Sequence, residues 1–390
     1  MPLAQQGLGD VVVVRTSGMD LAVADPDRGI VRAEGGALWE PAVVAAAAHG
    51  RAVLHGSSPD VGIAGYSLGG GIGWYARSLG LAANSVTAVE LVTADGELVR
   101  ADETANVELF WALRGGGGSF GVVTALELRS YPIETAYAGM LLWDVEHTER
   151  VLREWATWAP TAPDEVTTAF RVLRLPELPE LPDFLRGRAV AVVDGAVLGS
   201  DERGRELLAG LRALDPELDT FARVPATDLM RIHMDPEGGA PFVSSSGMLD
   251  GFPDAAVNAF LAEVGPGVES PLLLAELRQL GGALARPHAG GGVLSHLDAS
   301  FVMYAGAMAV SEEVAAAGHA AAVRLTETLA PFGSGRQYLN FAENPVDVRA
   351  AYPEKSWRQL AGIRAAVDPD GLFVANHPVP RPFEAGEPTT

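Results

Sequence analysis

Apolar and polar positions along this chain fall into short runs that predict alternating strands and helices. Residues 11–15, Val-Val-Val-Val-Arg, and residues 29–34, Gly-Ile-Val-Arg-Ala-Glu, read as strands. The segment Asp25-Pro-Asp-Arg-Gly29 between them has the proline and glycine placement of a tight turn. Residues 39–50 read as a helix, with Pro41 in its first turn and Gly50 just past its end. Strands are expected over 86–92 and 97–101 around the turn Asp95-Gly96. A helix over 108–114 follows, broken by four glycines, and then a strand over 122–128. The texture changes near Tyr131-Pro132. From there to about Pro331, acidic amphipathic helices such as 201–214 alternate with apolar strands such as 189–198, which predicts a sheet backed by helices. Residues 356–367 read as a helix capped by Ser356, with Trp357, Leu360, Ile363 and Val367 on one buried face. Asp368-Pro-Asp-Gly371 then turns the chain, and the tail after Pro378 is rich in Pro, Glu and Thr. The class is α+β.

Composition narrows the chemistry. The 390 residues are 48% apolar and 20% charged, enough for a large core. Fifty acidic side chains face 28 basic ones, the net charge is −22, and Lys355 is the only lysine. Such a surface repels phosphate backbones and anionic lipid, and no local basic patch offsets it, so neither nucleic acid nor a membrane surface is an expected partner. With no cysteine, disulfides, thiolate catalysis and thiolate metal sites are excluded. His288 and His296 share a glycine-rich region without a third ligand, so no metal site is expected. The first residues lack a basic segment followed by a long apolar one, and 11–14 is too short to span a bilayer, so a cytoplasmic protein is expected.

Three glycine-rich stretches invite different chemistries. Gly71-Ile-Gly-Trp-Tyr-Ala76 and Gly116-Gly-Gly-Ser-Phe-Gly121 fit dinucleotide fingerprints, but that fingerprint needs a strand before and a helix after. Around Gly116 the order is reversed. No Lys-Ser or Lys-Thr completes a phosphate-binding P-loop. Gly65-Tyr-Ser-Leu-Gly69 matches a nucleophile elbow with Ser67 as nucleophile, yet the flanks are turn-rich rather than an apolar strand and a helix. Two readings of the clustered glycine remain: tight packing turns, or a cradle of exposed amides around a pyrophosphate and a flat ring.

At these segments the sequence resembles a known family. Gly62-Ile-Ala-Gly-Tyr-Ser-Leu-Gly-Gly-Gly-Ile-Gly-Trp, continuing to Arg77-Ser-Leu-Gly-Leu81 and Asn84, resembles the flavin-cradling segment of the berberine-bridge-enzyme-like FAD-linked oxidases. Asn106-Val-Glu-Leu-Phe-Trp-Ala-Leu-Arg-Gly-Gly-Gly-Gly-Ser-Phe-Gly-Val-Val-Thr124 is similar to the second hallmark. Tyr338-Leu-Asn-Phe341 and Asp368-Pro-Asp-Gly-Leu-Phe373, with Asn376, are similar to the closing motif.

The resemblance implies a PCMH-type FAD-binding domain over 1–132, N-terminally incomplete, an antiparallel substrate domain over 133–332, and a return to the FAD domain over 333–390. It places Ser58, Gly62, Gly65, Gly69, Gly70, Gly71, Gly73, Gly117, Gly118, Gly121 and Val122 around FAD. Tyr338 and Asn340 then lie near the ring, and Tyr338 is the candidate catalytic residue. Glu276 and Arg278, in the apolar run 272–280, are candidates for the substrate side. On period-two alternation, Tyr338 and Asn340 are expected to face the ring from one side of a strand, and residues 69–73 to abut the flavin or its cavity. Nothing in this numbering corresponds to the family's histidine loop that bonds the flavin, and Ser58 stands where some members have a cysteine. The cofactor is therefore expected to be non-covalent, if bound at all. The activity implied is oxidation of a small metabolite, plausible for specialised metabolism, by hydride transfer to flavin, with O₂ or another acceptor taking the electrons. The alternative is a flavin-free descendant using the same cavity for a cyclisation or other non-redox rearrangement.

Overall fold

A computed structural model describes residues 9, 11–179, 181–236 and 238–380. Residues 1–8 and the tail from 381 lie outside the described part. Two sheets, antiparallel at every pairing, organise the chain. The first holds β1 (Ala22–Asp25), β2 (Ile30–Glu34), β3 (Val86–Val92), β4 (Leu98–Asp102) and β5 (Val122–Arg129), in the order β1-β2-β5-β3-β4. The second holds β6 (Thr135–Asp144), β7 (Val166–Arg174), β8 (Ala189–Val197), β9 (Leu218–Asp219), β10 (Ala222–Pro225), β11 (Phe242–Leu249), β12 (Leu274–Gln279) and β13 (Phe301–Met308). Its order is β10-β6-β8-β7-β12-β13-β11, with β9 paired to β6. No helix among the described residues is long and apolar enough to cross a membrane.

The strand predicted over 11–15 is not formed. Val12 is 86% exposed, and the anticipated turn joins β2 to Ala22–Asp25 instead, with Asp25 opposite Ile30. An apolar run becomes a strand only where a neighbour takes its backbone hydrogen bonds, and no described strand pairs with 11–15. The helix predicted over 201–214 breaks at Leu208 into Asp201–Leu207 and Ala209–Arg212. The last helix runs Glu354–Val367 with Pro353 as its N-cap, so Ser356 lies inside the first turn. Trp357, Leu360 and Ile363 are buried as expected, whereas Val367 is half-buried.

Period-two alternation divides the second sheet into two unlike faces. Val193, Phe170, Leu277 and Met303 form one cross-strand row, and Ala191, Val172, Ala275 and Ala305 the next. Helices α1 (Thr148–Trp158), α2 (Asp254–Val264) and α3 (Glu312–Leu329) join these rows in one core through Trp155, Phe260 and Leu325. The opposite face carries no such helix layer and is mixed: Met140, Leu142, Val190 and Val192 cluster at one end, and charged side chains stand in the rows beside them. One row there runs Asp194, Ala169, Arg278 and Val302, and its neighbour runs Arg171, Glu276, Tyr304 and Ser246. The first unit packs toward this open face.

Arg77 fastens the two units. Its side chain is buried and donates to the carbonyls of Val166 (2.7 Å), Ala162 (2.6 Å) and Leu280. The C-terminal helix returns to the first core, where Leu360 and Ile363 join Phe110 and Leu113.

Candidate functional site

Three segments far apart in sequence meet on one wall. The Gly117 N–H donates to Leu68 O at 3.1 Å, joining the two glycine stretches. The Gly71 N–H donates to the Tyr338 hydroxyl at 2.9 Å, and Asn340 Nδ2 donates to Tyr66 O at 2.9 Å. The Tyr352 hydroxyl donates to Gly115 O at 2.8 Å. The structure therefore brings together Tyr338, Asn340 and both glycine stretches.

Not by a strand, however. Tyr338 is a single extended residue, and Leu339–Phe341 is a turn of 3₁₀ helix. Period two does not govern this segment, because its backbone makes turn bonds such as Phe341 N–H to Tyr338 O (3.1 Å). Asn340 nevertheless reaches the wall, and its Nδ2 lies 3.3 Å from the Tyr338 hydroxyl oxygen.

The glycines divide by what surrounds them. At Gly69 a Cβ would overlap Asn340, at Gly71 it would meet Tyr66 and Ala82, and at Gly73 it would strike the His55 carbonyl. Gly70, at φ +121, has Leu294 and Tyr338 atoms at 3.0 and 3.2 Å from that position. Gly121 packs against Leu91 and Val92, and Val122 starts β5 opposite Val92. The chain's own side chains thus fill the space beside residues 69–73. Gly62, Gly65 and Gly117 have nothing within 4 Å, and Gly118 has only Ala375 at 4.0 Å. These four are the open part of the wall. Ser58 is buried and donates to Asp60 at 2.6 Å, and Ser57 donates to Asp235 at 2.7 Å.

Several buried polar atoms on this wall have no hydrogen-bond partner among the described residues: Tyr66 Oη, Ser67 Oγ, Trp74 Nε1 and Tyr75 Oη. Ser67 sits inside the helix Ile63–Leu68 and is fully buried, not displayed at a strand-to-helix corner. That geometry removes the nucleophile-elbow reading. Burial holds the Tyr66 phenol well above its ordinary range, with the neighbouring Tyr338 oxygen adding to the effect. Burial also pushes Tyr338 up to about 12, although the Asn340 and Gly71 donors act against it.

Facing the wall, the open sheet face carries a buried ionic cluster. Arg171 pairs with Asp194, and Arg278 pairs with Glu276. His233 joins the two pairs from a loop: its Nδ1 is 2.7 Å from Asp194 Oδ2, and its Nε2 is 3.5 Å from Glu276 Oε2. Trp74 packs beside the His233 ring at 5.5 Å between centroids, and Arg278 lies 5.1 Å from the centre of the Phe341 ring. A small cavity lined by Ser57, Gly73, Trp74, Ala169 and Arg278 separates the wall from the sheet. Burial opposes ionisation of Glu276, but Arg278 and His233 outweigh it and hold the carboxyl well below the usual carboxylate range.

Of this cluster, the sequence singled out Glu276 and Arg278 but missed Arg171, Asp194 and His233. A signal existed for two of these, since Asp194 is the lone charge in β8 and Arg171 the one charge in the interior of β7. His233 comes from an irregular loop and gives none. No group of three or more metal-ligating side chains occurs among the described residues.

Comparison with known proteins agrees with this architecture. A family model described as FAD binding domain matches residues 2–102. Xylooligosaccharide oxidase of Thermothelomyces thermophilus is 38% identical over 148 residues, 37% of this chain and 29% of that protein. (R)-6-Hydroxynicotine oxidase of Paenarthrobacter nicotinovorans is 38% identical over 113 residues, 29% of this chain and 25% of that protein. The matched part thus spans less than a third of either relative. Among solved structures, Physcomitrella patens BBE-like 1 superposes with a TM-score of 0.80 at 21% identity, over 93% of this chain and 80% of that one. A chitooligosaccharide oxidase gives 0.78 at 21% identity, over 94% and 81%.

The residues present fit FAD in their donor chemistry. The unspent buried donors at Tyr66, Ser67, Trp74 and Tyr75, and the uncrowded Gly62, Gly65, Gly117 and Gly118 that let a ligand approach the chain, suit a carbonyl-rich ring and a pyrophosphate. Residues 2–102 thus match an FAD binding domain, and the chain has the fold of Physcomitrella patens BBE-like 1 and of the chitooligosaccharide oxidase.

Proposed function

We propose that the protein is an FAD-dependent oxidoreductase that removes a hydride from a small organic molecule lying between the glycine wall and the open sheet face. One observation carries this reading: three distant segments converge on a wall with unspent buried donors, opposite a buried charged row. The two named relatives are, by name, oxidases of an oligosaccharide and of a hydroxynicotine, so the substrate class proposed is a hydroxyl- or amine-bearing metabolite. O₂ or another acceptor removes the electrons afterwards.

When bound, FAD supplies a two-electron acceptor at its ring. Gly62, Gly65, Gly117 and Gly118 would leave it room to approach the backbone, and Tyr66, Ser67 and Trp74 would offer side-chain donors. Tyr338 holds its proton at neutral pH and is oriented by the Gly71 and Asn340 N–H groups. Its Oη is the atom we assign to the substrate hydroxyl or amine. Glu276 stays ionised and keeps Arg278 aimed at the same space.

Titrating the full chain with FAD while following flavin fluorescence tests this reading. Saturable quenching is expected, and acid precipitation should release the flavin if it is held without a covalent bond, as proposed. Hydrogen peroxide release should then follow with members of an alcohol, sugar and amine panel. A chain that binds no FAD overturns the proposal, and a colourless protein that still converts a metabolite selects the flavin-free alternative.

A further inference from the structure

We propose that His233 is a positioning residue of this site: seated between the Asp194 and Glu276 carboxylates, its ring fixes the Glu276–Arg278 pair on the open sheet face. This rests on the preceding reading, which makes that face the substrate side. The ring is held at both ends. Arg171 NH1 donates to the His233 carbonyl at 2.9 Å, and Asp194 Oδ2 faces Nδ1 at 2.7 Å. With backbone and Nδ1 both fastened, the direction of Nε2 is set. It points at Glu276 Oε2 (3.5 Å), Arg278 NH2 (3.2 Å) and, more distantly, Asp235 Oδ1 (3.9 Å). His233 and Glu276 are each 2% exposed, so no bulk water replaces these contacts.

Charge balance explains why an imidazole belongs here. Three carboxylates, Asp194, Asp235 and Glu276, surround two guanidiniums, Arg171 and Arg278. An imidazolium makes the cluster neutral, which a buried site strongly favours. Burial and Arg171 disfavour the charged ring, but the three carboxylates outweigh them and push it up to about 9. As an imidazolium, His233 donates from Nδ1 to Asp194 and from Nε2 to Glu276. Deprotonated, Nε2 becomes an acceptor for the Arg278 NH2 group that already lies 3.2 Å away. The same ring thus selects which member of the Glu276–Arg278 pair it holds. Of the remaining ionisable neighbours, Tyr66, Tyr304 and Tyr338 are phenols that burial keeps protonated, and Glu343 sits farther along the face, where it accepts from the Ser244 hydroxyl at 2.6 Å beside Tyr304.

The test is ring nitrogen NMR on the full chain with 15N-labelled histidine, assigned with His233→Gln. Both His233 nitrogens should stay protonated through pH 8 and titrate near 9, with or without added FAD. A ring neutral at pH 7 overturns the proposal. A second readout is the affinity of the FAD-loaded protein for sulfite, an anion that adds to oxidised flavin and senses nearby positive charge. As pH rises through 9 the parent should lose about tenfold more affinity than His233→Gln, which should show only the pH dependence of sulfite and flavin themselves. A variant that melts earlier but keeps the parent's sulfite profile also overturns the proposal, because it makes the role merely structural. Should His233→Gln fail to fold, Asp194→Asn serves: it keeps the shape and should shift the ring titration downward. If the chain binds no FAD, the functional reading fails separately and the ring titration alone decides this one.

Discussion

At the scale of single residues, two buried histidines set opposite pH dependences. His55 is fully buried and burial lowers it to about 4, so its stabilising contribution is complete above its ordinary value near 6.5 and is lost as pH falls toward 4. His233 is raised, so its contribution is complete below 6.5 and is lost as pH rises through about 9. Each contribution is of order 3 kcal/mol. Melting temperature should therefore peak between pH 6 and 7, with His55→Gln flattening the acid limb and His233→Gln the alkaline one. A parent curve still rising at pH 9 would contradict the His233 assignment, and one flat between pH 4 and 6.5 the His55 assignment. Gly70→Val should lower stability by several kcal/mol, because φ +121 and the Leu294 and Tyr338 contacts both oppose a side chain. Chemical denaturation of the variant measures this. Tyr338→Phe strips the Gly71 N–H of its acceptor and should cost about 1–3 kcal/mol while altering the spectrum of bound flavin. A loss of stability with an unchanged spectrum would leave Tyr338 a packing residue.

At the scale of elements, the glycine wall depends on one arginine. Arg77 satisfies carbonyls of three segments, at Ala162, Val166 and Leu280, from a buried position. Arg77→Met should cost about 3–5 kcal/mol, since it leaves several buried acceptors without a donor. Arg77→Lys should recover little, because an ammonium lacks the planar fork that reaches three carbonyls at once. Limited proteolysis offers a direct check: cleavage near residues 76–85 should rise in both variants. Equal resistance in parent and variants would show that the packing around Trp74 and Leu81 suffices.

For the molecule as a whole, binding of FAD to the folded state alone raises stability by about 2.7 kcal/mol at a hundredfold excess over its dissociation constant. For a chain of this size that is a rise in melting temperature of several degrees, and thermal scans with and without FAD read it. No shift at millimolar FAD would count against the proposed cofactor site. The acidic surface, with net charge −22, repels the FAD pyrophosphate, so moderate salt should enlarge this shift by screening that repulsion.

The sequence by itself determined the local elements whose patterning is strong. The strands at 86–92 and 122–129, the helix at 39–47 and the turn at Asp25-Pro-Asp-Arg-Gly29 follow from alternation, helical spacing and turn residues. The α+β class and the FAD-binding domain were also legible there, because the glycine segments and the closing motif stand in a recognisable order. Tertiary structure decided the rest. Residues 11–15 have a strand's composition but no described partner, and pairing is a property of two segments. Tyr338 and Asn340 reach the wall through a turn, since their backbone bonds were settled by neighbours that periodicity does not see. The glycines at 69–73 are filled by Asn340, Leu294, Tyr66 and His55, contacts across up to 271 positions that no local pattern encodes. His233 takes its meaning only from Asp194 and Glu276, 39 and 43 residues away on two strands, because charge in a buried site is set by what surrounds it.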